Sequence, residues 1–199
     1  MLTIHHLGIS QSERIVWLCE ELGLEYVLHR YDRMPNGAAP PEYKALHPLG
    51  TAPIVMDGDL VLAETGAIVE YIVRRHGGGR LMLGPEHPAF NDYVFWAHYP
   101  GGSLAPAFMM EAVAQRLGSA PLSGRGDIGL GMVEARLGEA EWLAGDEFTI
   151  ADIMVVYPLS RAQEVSGRDM SAYPNILAYL ERIRARPAHR AAMAKAEPA

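Results

Sequence analysis

Apolar residues recur along the first eighty positions with two different periods, two residues in some stretches and about 3.6 residues in others. A period of two predicts strands, and a period of about 3.6 predicts helices. In chain order the pattern predicts a strand, a helix, a strand, a short helix, a hairpin and a second long helix, at 2–6, 15–22, 25–31, 42–46, 54–62 and 67–72. Strands that alternate with helices in this way indicate an α/β domain.

The chain changes in character near residue 80. Gly77-Gly78-Gly79 stops the last of these helices, and residues 81–87 form a linker that contains Pro85. Every element predicted beyond the linker is a helix. We therefore expect two domains, an α/β domain over 1–80 and an all-helical domain over 87–199.

Two features stand out in the helical half. The region 90–117 is interrupted at Tyr99-Pro100-Gly101-Gly102, where a proline and two glycines predict a kink or a break. Thr149 and Asp152 have the spacing of a capping box, which predicts a helix start there. That spacing also indicates a structural role for Asp152.

Two segments of the helical half have no clear apolar period. The segment 118–127 is rich in glycine and small polar residues, and we expect an irregular, mobile connection. The tail from Pro187 onward is alanine-rich and polar, and we expect a frayed final helix. Between them, residues 176–186 carry an apolar stripe and predict one further helix.

Composition limits the classes of protein to consider. The chain has 199 residues, 49% of them hydrophobic, which is enough for a sizeable core. A formal net charge of -7 without a basic stripe argues against nucleic-acid binding. No apolar run reaches the roughly 20 residues of a membrane span, and no signal peptide precedes the first strand, so we expect a cytoplasmic location and no membrane partner. The single cysteine, Cys19, excludes an intrachain disulfide and reads as a small core residue.

Polar residues at the first helix form one candidate site. Ser10 and Ser12 lie in the loop after the first strand, and either one is a plausible N-cap. A hydroxyl in this loop lies near the positive end of the helix dipole, which favours a negative charge. His5 and His6 precede the loop, but adjacent strand residues face opposite sides, so at least one of the two is structural.

The hairpin and the helix after it form a second candidate site. An X-Pro bond adopts the cis form at low cost, and a cis bond at Pro53 leaves the backbone of Ala52 free to pair with an extended peptide. Glu64 and Thr65 place a carboxylate, a hydroxyl and free backbone N–H groups at a helix N-terminus, which suits an anionic group. The alternative is an ordinary hairpin followed by a polar helix cap.

These stretches together resemble the cytosolic glutathione S-transferases, in particular the serine-type members of bacteria and yeasts. The phrase LCEELGLEYVLHRYDR is typical of bacterial and fungal members, FWAHYPGGSLAPAFMM resembles the corresponding yeast-like segment, and FTIADI marks a buried helix of the second domain. The resemblance implies an α/β thioredoxin-like N-terminal domain plus an all-α helical C-terminal domain. It also implies the detoxification chemistry of the family.

The resemblance assigns roles to the residues of both candidate sites. Ser10, whose offset from Arg14 fits the family better than that of Ser12, would activate the thiol of glutathione. Either serine remains a candidate. The resemblance further implies the following contacts with glutathione: Ala52 and Pro53 with its cysteinyl backbone, Glu64 and Thr65 with its γ-glutamyl end, and Lys44 or His47 with its glycine carboxylate.

The second substrate follows less directly from the resemblance. Tyr99, Phe108 and Met109 are candidates to line a pocket between the two domains for a small apolar electrophile, and the alternative for each is a position in the core. The resemblance implies glutathione as a co-substrate and no requirement for a metal. The family also implies a homodimer.

Other reactions fit the same resemblance. A glutathione-dependent isomerase or a disulfide-bond reductase would use the same thiolate with a different second substrate. A non-catalytic interaction protein would keep the fold without activating the thiol. The acceptor substrate itself is not determined by these residues.

Overall fold

The structure, a computed structural model, describes residues 1–118 and 124–197, with the side chains of residues 165 and 166 left aside. The chain forms two compact units, one over Met1–Arg80 together with Ala185–Ala199 and one over Leu81–Arg184. The second domain was expected over 87–199, whereas the last part of the chain clusters with the first unit. Half of the connection predicted over 118–127, residues 119–123, lies outside the described residues, and residues 125–127 belong to a helix, not to an irregular connection.

The first unit contains a sheet that, in the described part of the chain, has four strands in the order β2-β1-β3-β4. The strands are β1 Leu2–Leu7, β2 Val27–Tyr31, β3 Ile54–Asp57 and β4 Leu60–Ala63. β2 runs parallel to β1, while β3 is antiparallel to both β1 and β4. The mixed sheet follows from the sequence, because a helix separates β1 from β2 and a tight turn joins β3 to β4.

Helices account for most of the remaining chain. The helices are α1 Glu13–Leu22, α2 Pro41–Lys44, α3 Thr65–Arg75, α4 Phe90–Tyr99, α5 Ala105–Arg116, α6 Arg125–Glu139, α7 Ile150–Ser166, α8 Pro174–Ala185 and α9 Pro187–Ala196. A π-helical turn over Pro100–Leu104 joins α4 to α5, so the predicted interruption of this long region is confirmed. A short 3₁₀ helix, Met170–Ala172, precedes α8.

The C-terminal tail is a regular helix of the first unit and is not frayed, so that prediction was wrong. α9 packs along α1, where Arg186 forms a two-pronged ion pair with Glu21 at 2.7 and 2.8 Å. Lys195 pairs with Glu20 at 2.6 Å near the other end of the helix. The alanines that suggested fraying allow close packing, and Ala192 and Ala196 are fully buried.

The predicted capping box at the start of α7 is present and organises the second unit. Thr149 Oγ1 accepts from the N–H of Ala151, and the Asp152 carboxylate accepts from the N–H of Thr149 at 2.9 Å. The same carboxylate also accepts from Leu143 N at 3.0 Å and from the Tyr179 hydroxyl at 2.9 Å. Burial raises the pKa of Asp152 to about 6, in opposition to these donors. Asp152 therefore joins three segments of the unit and has a structural role.

Replacing Asp152 by alanine should lower the free energy of unfolding by about 3–5 kcal/mol, because three buried donors lose their acceptor at once. Chemical denaturation measures the loss. The exposed Asp146, a few residues earlier in the same connection, provides the control, and Asp146→Ala should change stability by less than about 0.5 kcal/mol. Equal losses in the two variants would contradict the role assigned to Asp152.

Candidate active site

The loop between β1 and α1 carries the two serines of the first candidate site. Ser10 Oγ donates to the carbonyl of Leu7 at 2.6 Å and lies 2.7 Å from Ser12 Oγ. Ser10 is 5% exposed and Ser12 is 0% exposed. The loop thus holds both hydroxyls beneath the surface of the first unit, at the end of α1 where the helix dipole is positive.

Ser12 occupies the position before α1, but its side chain does not cap the helix. Its Oγ instead accepts from the N–H of Leu7 at 3.2 Å and lies 2.8 Å from His6 Nδ1. Capping was a reasonable expectation from the sequence, because a serine at this position normally bonds the first turn. It is wrong here because the buried end of β1 offers the hydroxyl two partners of its own.

His6 extends this network to the end of the chain. The side chain is fully buried, and its Nε2 lies 3.1 Å from Glu197 Oε1. Burial lowers the pKa of His6, so the ring is neutral near pH 7, with one nitrogen that donates and one that accepts. Because a carboxylate accepts, Nε2 carries the proton and Nδ1 accepts from Ser12. His5 faces the other side of the sheet, where its Nδ1 bonds the hydroxyl of Tyr31 at 3.0 Å.

Two charged side chains that the sequence analysis missed hold the main chain of this loop. Arg33 donates to the carbonyls of Gly8 at 2.8 Å and Ile9 at 3.0 Å. Glu197 accepts from the N–H of Ile9 at 2.7 Å. Arg33 and Glu197 lie 24 and 188 positions from Ile9 in the sequence, so no local pattern relates them to the loop.

The start of α3 carries the acidic residue and the hydroxyl of the second candidate site. Glu64 directly precedes the helix, with an exposed side chain and a φ of 70°. Thr65 begins the helix, and its hydroxyl donates to Gln11 Oε1 at 3.4 Å. Arg14 donates to the same oxygen at 3.2 Å. Gln11, which the sequence analysis did not consider, therefore joins the start of α3 to the loop that contains Ser10.

The peptide bond between Ala52 and Pro53 is cis, as predicted. Pro53 is buried directly before β3, and Ala52 is half-buried. Ile54, the first residue of β3, pairs with a residue near the end of β1 and with Ala63, the last residue of β4. The antiparallel register therefore brings Ala52 to the same edge of the sheet as the loop after β1 and the start of α3.

The remaining candidates are those for the glycine carboxylate and for the pocket of the second substrate. Lys44 is exposed at the end of α2, and His47 Nδ1 accepts from Leu49 N at 3.2 Å within a local turn. In the second unit, Tyr99 is half-buried, Phe108 is 2% exposed and Met109 is 59% exposed. Phe108 lies in the core of that unit, with the Arg168 guanidinium 5.2 Å from its ring centroid. The pocket roles of the three residues remain predictions.

The cysteine, metal-binding groups and membrane spans are the remaining features to consider in the described residues. Burial raises the pKa of Cys19 to about 12, so its thiol is protonated near neutral pH and behaves as a core group. Residues 1–118 and 124–197 contain no group of three or more histidine, cysteine, aspartate or glutamate side chains arranged to hold a metal ion. No helix within those ranges has the length and apolar character of a membrane span.

Family comparisons agree with the geometry of both units. Residues 3–74 match the family model described as glutathione S-transferase, N-terminal domain, and residues 129–187 match the model of the C-terminal domain. The chain belongs to the glutathione S-transferase family. The family, the fold class and the transferase function predicted from the sequence are thereby confirmed.

Individual relatives match along nearly the whole chain. Glutathione S-transferase 3 of Schizosaccharomyces pombe is 32% identical over 99% of this chain and 88% of the relative. Glutathione S-transferase 1 of Saccharomyces cerevisiae is 27% identical over 98% of this chain and 95% of the relative. A crystal structure of a glutathione S-transferase from Actinobacillus pleuropneumoniae superposes with a TM-score of 0.93 at 35% identity, covering 99% of this chain and 93% of that one.

Removing the hydroxyl of Ser12 should lower stability by about 2 kcal/mol, because the N–H of Leu7 and Nδ1 of His6 both lose their buried partner. Urea denaturation of Ser12→Ala measures the effect. Ser103, an exposed serine of the second unit, supplies the control variant Ser103→Ala, for which little change is expected. A stability of Ser12→Ala equal to that of the wild type would show that these bonds contribute nothing to folding.

Proposed function

We propose that this transferase binds glutathione at the edge of the first unit where β1 and β4 end, and that Ser10 stabilises the thiolate. The observation that carries the proposal is the convergence of three stretches at this edge. They are the loop with Ser10, the cis bond after Ala52 and the start of α3 next to Glu64. The sheet register and the contact of Gln11 with Thr65 support it.

The chemistry requires an ionised sulfur. A cysteine-type thiol has a pKa of about 8.5, so only a few per cent is thiolate near pH 7. A hydroxyl that donates to the sulfur lowers that pKa, and the N-terminus of α1 adds favourable potential. The proton of Ser10, which is donated to the carbonyl of Leu7 in this structure, can be redirected to the sulfur by rotation about the Cβ–Oγ bond, which leaves the oxygen in place.

Glutathione presents complementary groups to the rest of the edge. Its γ-glutamyl end carries an ammonium, which suits the exposed carboxylate of Glu64, and a carboxylate, which suits the hydroxyl and free N–H groups at Thr65. The backbone of Ala52, directly before β3, is positioned to pair with the cysteinyl peptide as an added strand does. Lys44 and His47 remain the candidates for the glycine carboxylate.

The reaction is nucleophilic displacement by the thiolate on a small apolar electrophile. The sulfur forms a new bond to an electrophilic carbon, and that carbon releases its leaving group with the bonding electrons. Tyr99 and Met109, which are half-buried and exposed in the second unit, suit contact with an apolar molecule. Phe108 lies in the same helix as Met109, and its side chain packs in the core of the second unit.

We further propose that the protein acts as a homodimer in the cytoplasm. Large apolar side chains are exposed on α4 and α5, where burial against a second copy would remove them from water. These side chains include Phe95, Met110 and Val113, which are 46%, 49% and 49% exposed. Size-exclusion chromatography with light scattering measures the assembly directly.

Glu64→Ala should weaken the binding of glutathione by about 2 kcal/mol, roughly thirtyfold in Kd, because the γ-glutamyl ammonium loses a charged partner. Calorimetric titration measures the affinity. Glu70→Ala is the matched control, since Glu70 is an exposed glutamate of the same helix that pairs with Arg74 at 2.7 Å. An unchanged affinity in Glu64→Ala would remove this residue from the site.

Ser10→Ala should raise the pKa of bound glutathione by roughly one to two units, because the thiolate loses its hydroxyl donor. The affinity for glutathione should change little, since the contacts at Ala52 and Glu64 remain. Ultraviolet titration of the bound thiolate measures the pKa. A shift produced by Ser12→Ala and not by Ser10→Ala would reverse the assignment, and no shift in either would point to a backbone N–H as the donor.

A further inference from the structure

The carboxylate of Glu197 bonds two parts of the candidate active site with one oxygen. Its Oε1 accepts from the N–H of Ile9 at 2.7 Å and lies 3.1 Å from Nε2 of His6. Ile9 directly precedes Ser10 in the chain, and His6 reaches Ser12 through its other nitrogen at 2.8 Å. Glu197 is therefore linked to Ser12 by two hydrogen bonds, through the ring of His6.

The contact with His6 fixes the direction of a hydrogen-bond chain. With Nε2 donating to Glu197, Nδ1 is the acceptor for the hydroxyl of Ser12. The oxygen of Ser12 then accepts, and the proton of Ser10 is shared between Ser12 Oγ at 2.7 Å and the carbonyl of Leu7 at 2.6 Å. Ser10 is thereby the terminal donor of this hydrogen-bond chain, and in this structure its proton is directed to these buried acceptors.

The contact with Ile9 supports an unfavourable backbone conformation. Ile9 has a φ of 51°, in the left-handed region that β-branched residues rarely adopt. Such a conformation persists only when the surroundings hold it. Glu197 holds the N–H of this residue, and Arg33 holds its carbonyl at 3.0 Å. Release of either contact allows the backbone directly before Ser10 to relax.

We propose that Glu197 is a positioning residue for thiol activation, because its carboxylate holds Ile9 and His6 so that the oxygen of Ser10 stays in place and its proton can turn from the carbonyl of Leu7 to the sulfur of glutathione. The inference rests on the role proposed above for Ser10. It assigns to the C-terminal end of the chain a part in the chemistry beyond packing. Arg30, the other charged group that acts on His6, opposes the protonation of that ring and so favours the same neutral arrangement.

The chain offers a matched control for the general contribution of α9. Lys195 lies two residues before Glu197 and pairs with Glu20 of α1 at 2.6 Å, away from the loop. Lys195→Ala removes another contact of α9 within the first unit, the one to α1, and leaves the bonds to Ile9 and His6 in place. Glu197→Gln keeps an oxygen that accepts from both groups and removes the charge, whereas Glu197→Ala removes the acceptor.

The experiment measures the pKa of bound glutathione by ultraviolet titration, and the kcat and KM with a chlorodinitrobenzene, for the full-length variants. In Glu197→Ala we expect the thiolate pKa to rise by about one unit and kcat near pH 6.5 to fall about tenfold, with the KM for glutathione within about twofold of wild type. In Glu197→Gln the thiolate pKa and kcat should remain close to the wild-type values. Lys195→Ala should keep the wild-type thiolate pKa, although its melting temperature falls as that of Glu197→Ala does.

Two results would overturn the inference. One is a wild-type thiolate pKa in Glu197→Ala, which would leave the residue with a packing role. The other is a lowered thiolate pKa in both Glu197 variants, which would mean that the carboxylate acts by its charge and opposes the thiolate.

The double variant Ser10→Ala/Glu197→Ala separates this inference from the proposed function. If Glu197 acts through Ser10, its removal should add no further shift once the Ser10 hydroxyl is absent. A shift from Ser10→Ala with none from Glu197→Ala would reject the inference and keep the proposed function. A shift from Glu197→Ala that persists without the Ser10 hydroxyl would reject both the route through Ser10 and the inference.

Discussion

The hydroxyl of Ser12 satisfies two buried groups of β1, the N–H of Leu7 and Nδ1 of His6, and the loop to α1 depends on this pairing. A buried polar group without a partner costs about 1–3 kcal/mol, so a loop that broke both bonds would be strongly disfavoured. The path of the loop in turn determines where Ser10 lies and where α1 begins. The other two stretches of the candidate site are arranged around this edge by the pairing of β3 with β1 and β4.

The first unit is packed around α1. The helix contacts β1, α3 and α9. Most of its residues are buried, including the charged Glu13 and Arg14. Ion pairs of α9 with Glu20 and Glu21 complete the packing. A C-terminal helix that belongs to the first unit also explains how a residue at the end of the chain reaches the loop after β1.

The sequence predicted those parts of the site whose signals are local. The cis bond at Pro53 was predicted from the position of this proline in a stretch that resembles the family's motif, and a threonine with an aspartate three positions later identified the capping box at Asp152. Ser10 and Glu64 were located as candidates because each lies at the start of a predicted helix. The side chain of Ser12 was not predicted correctly, because it bonds the buried imidazole of His6 and the N–H of Leu7 and does not cap the first turn of α1.

The sequence by itself determined the order of strands and helices, the two classes of structure in the two halves and the family. Apolar period, turn residues and helix caps act over a few positions and can be read without coordinates. Only the tertiary structure decided the roles of Arg33 and Glu197, because a hydrogen bond across 24 or 188 positions leaves no periodic mark on the chain. It also showed that the tail is an ordered helix, because packing against the surface of α1 stabilises this alanine-rich segment.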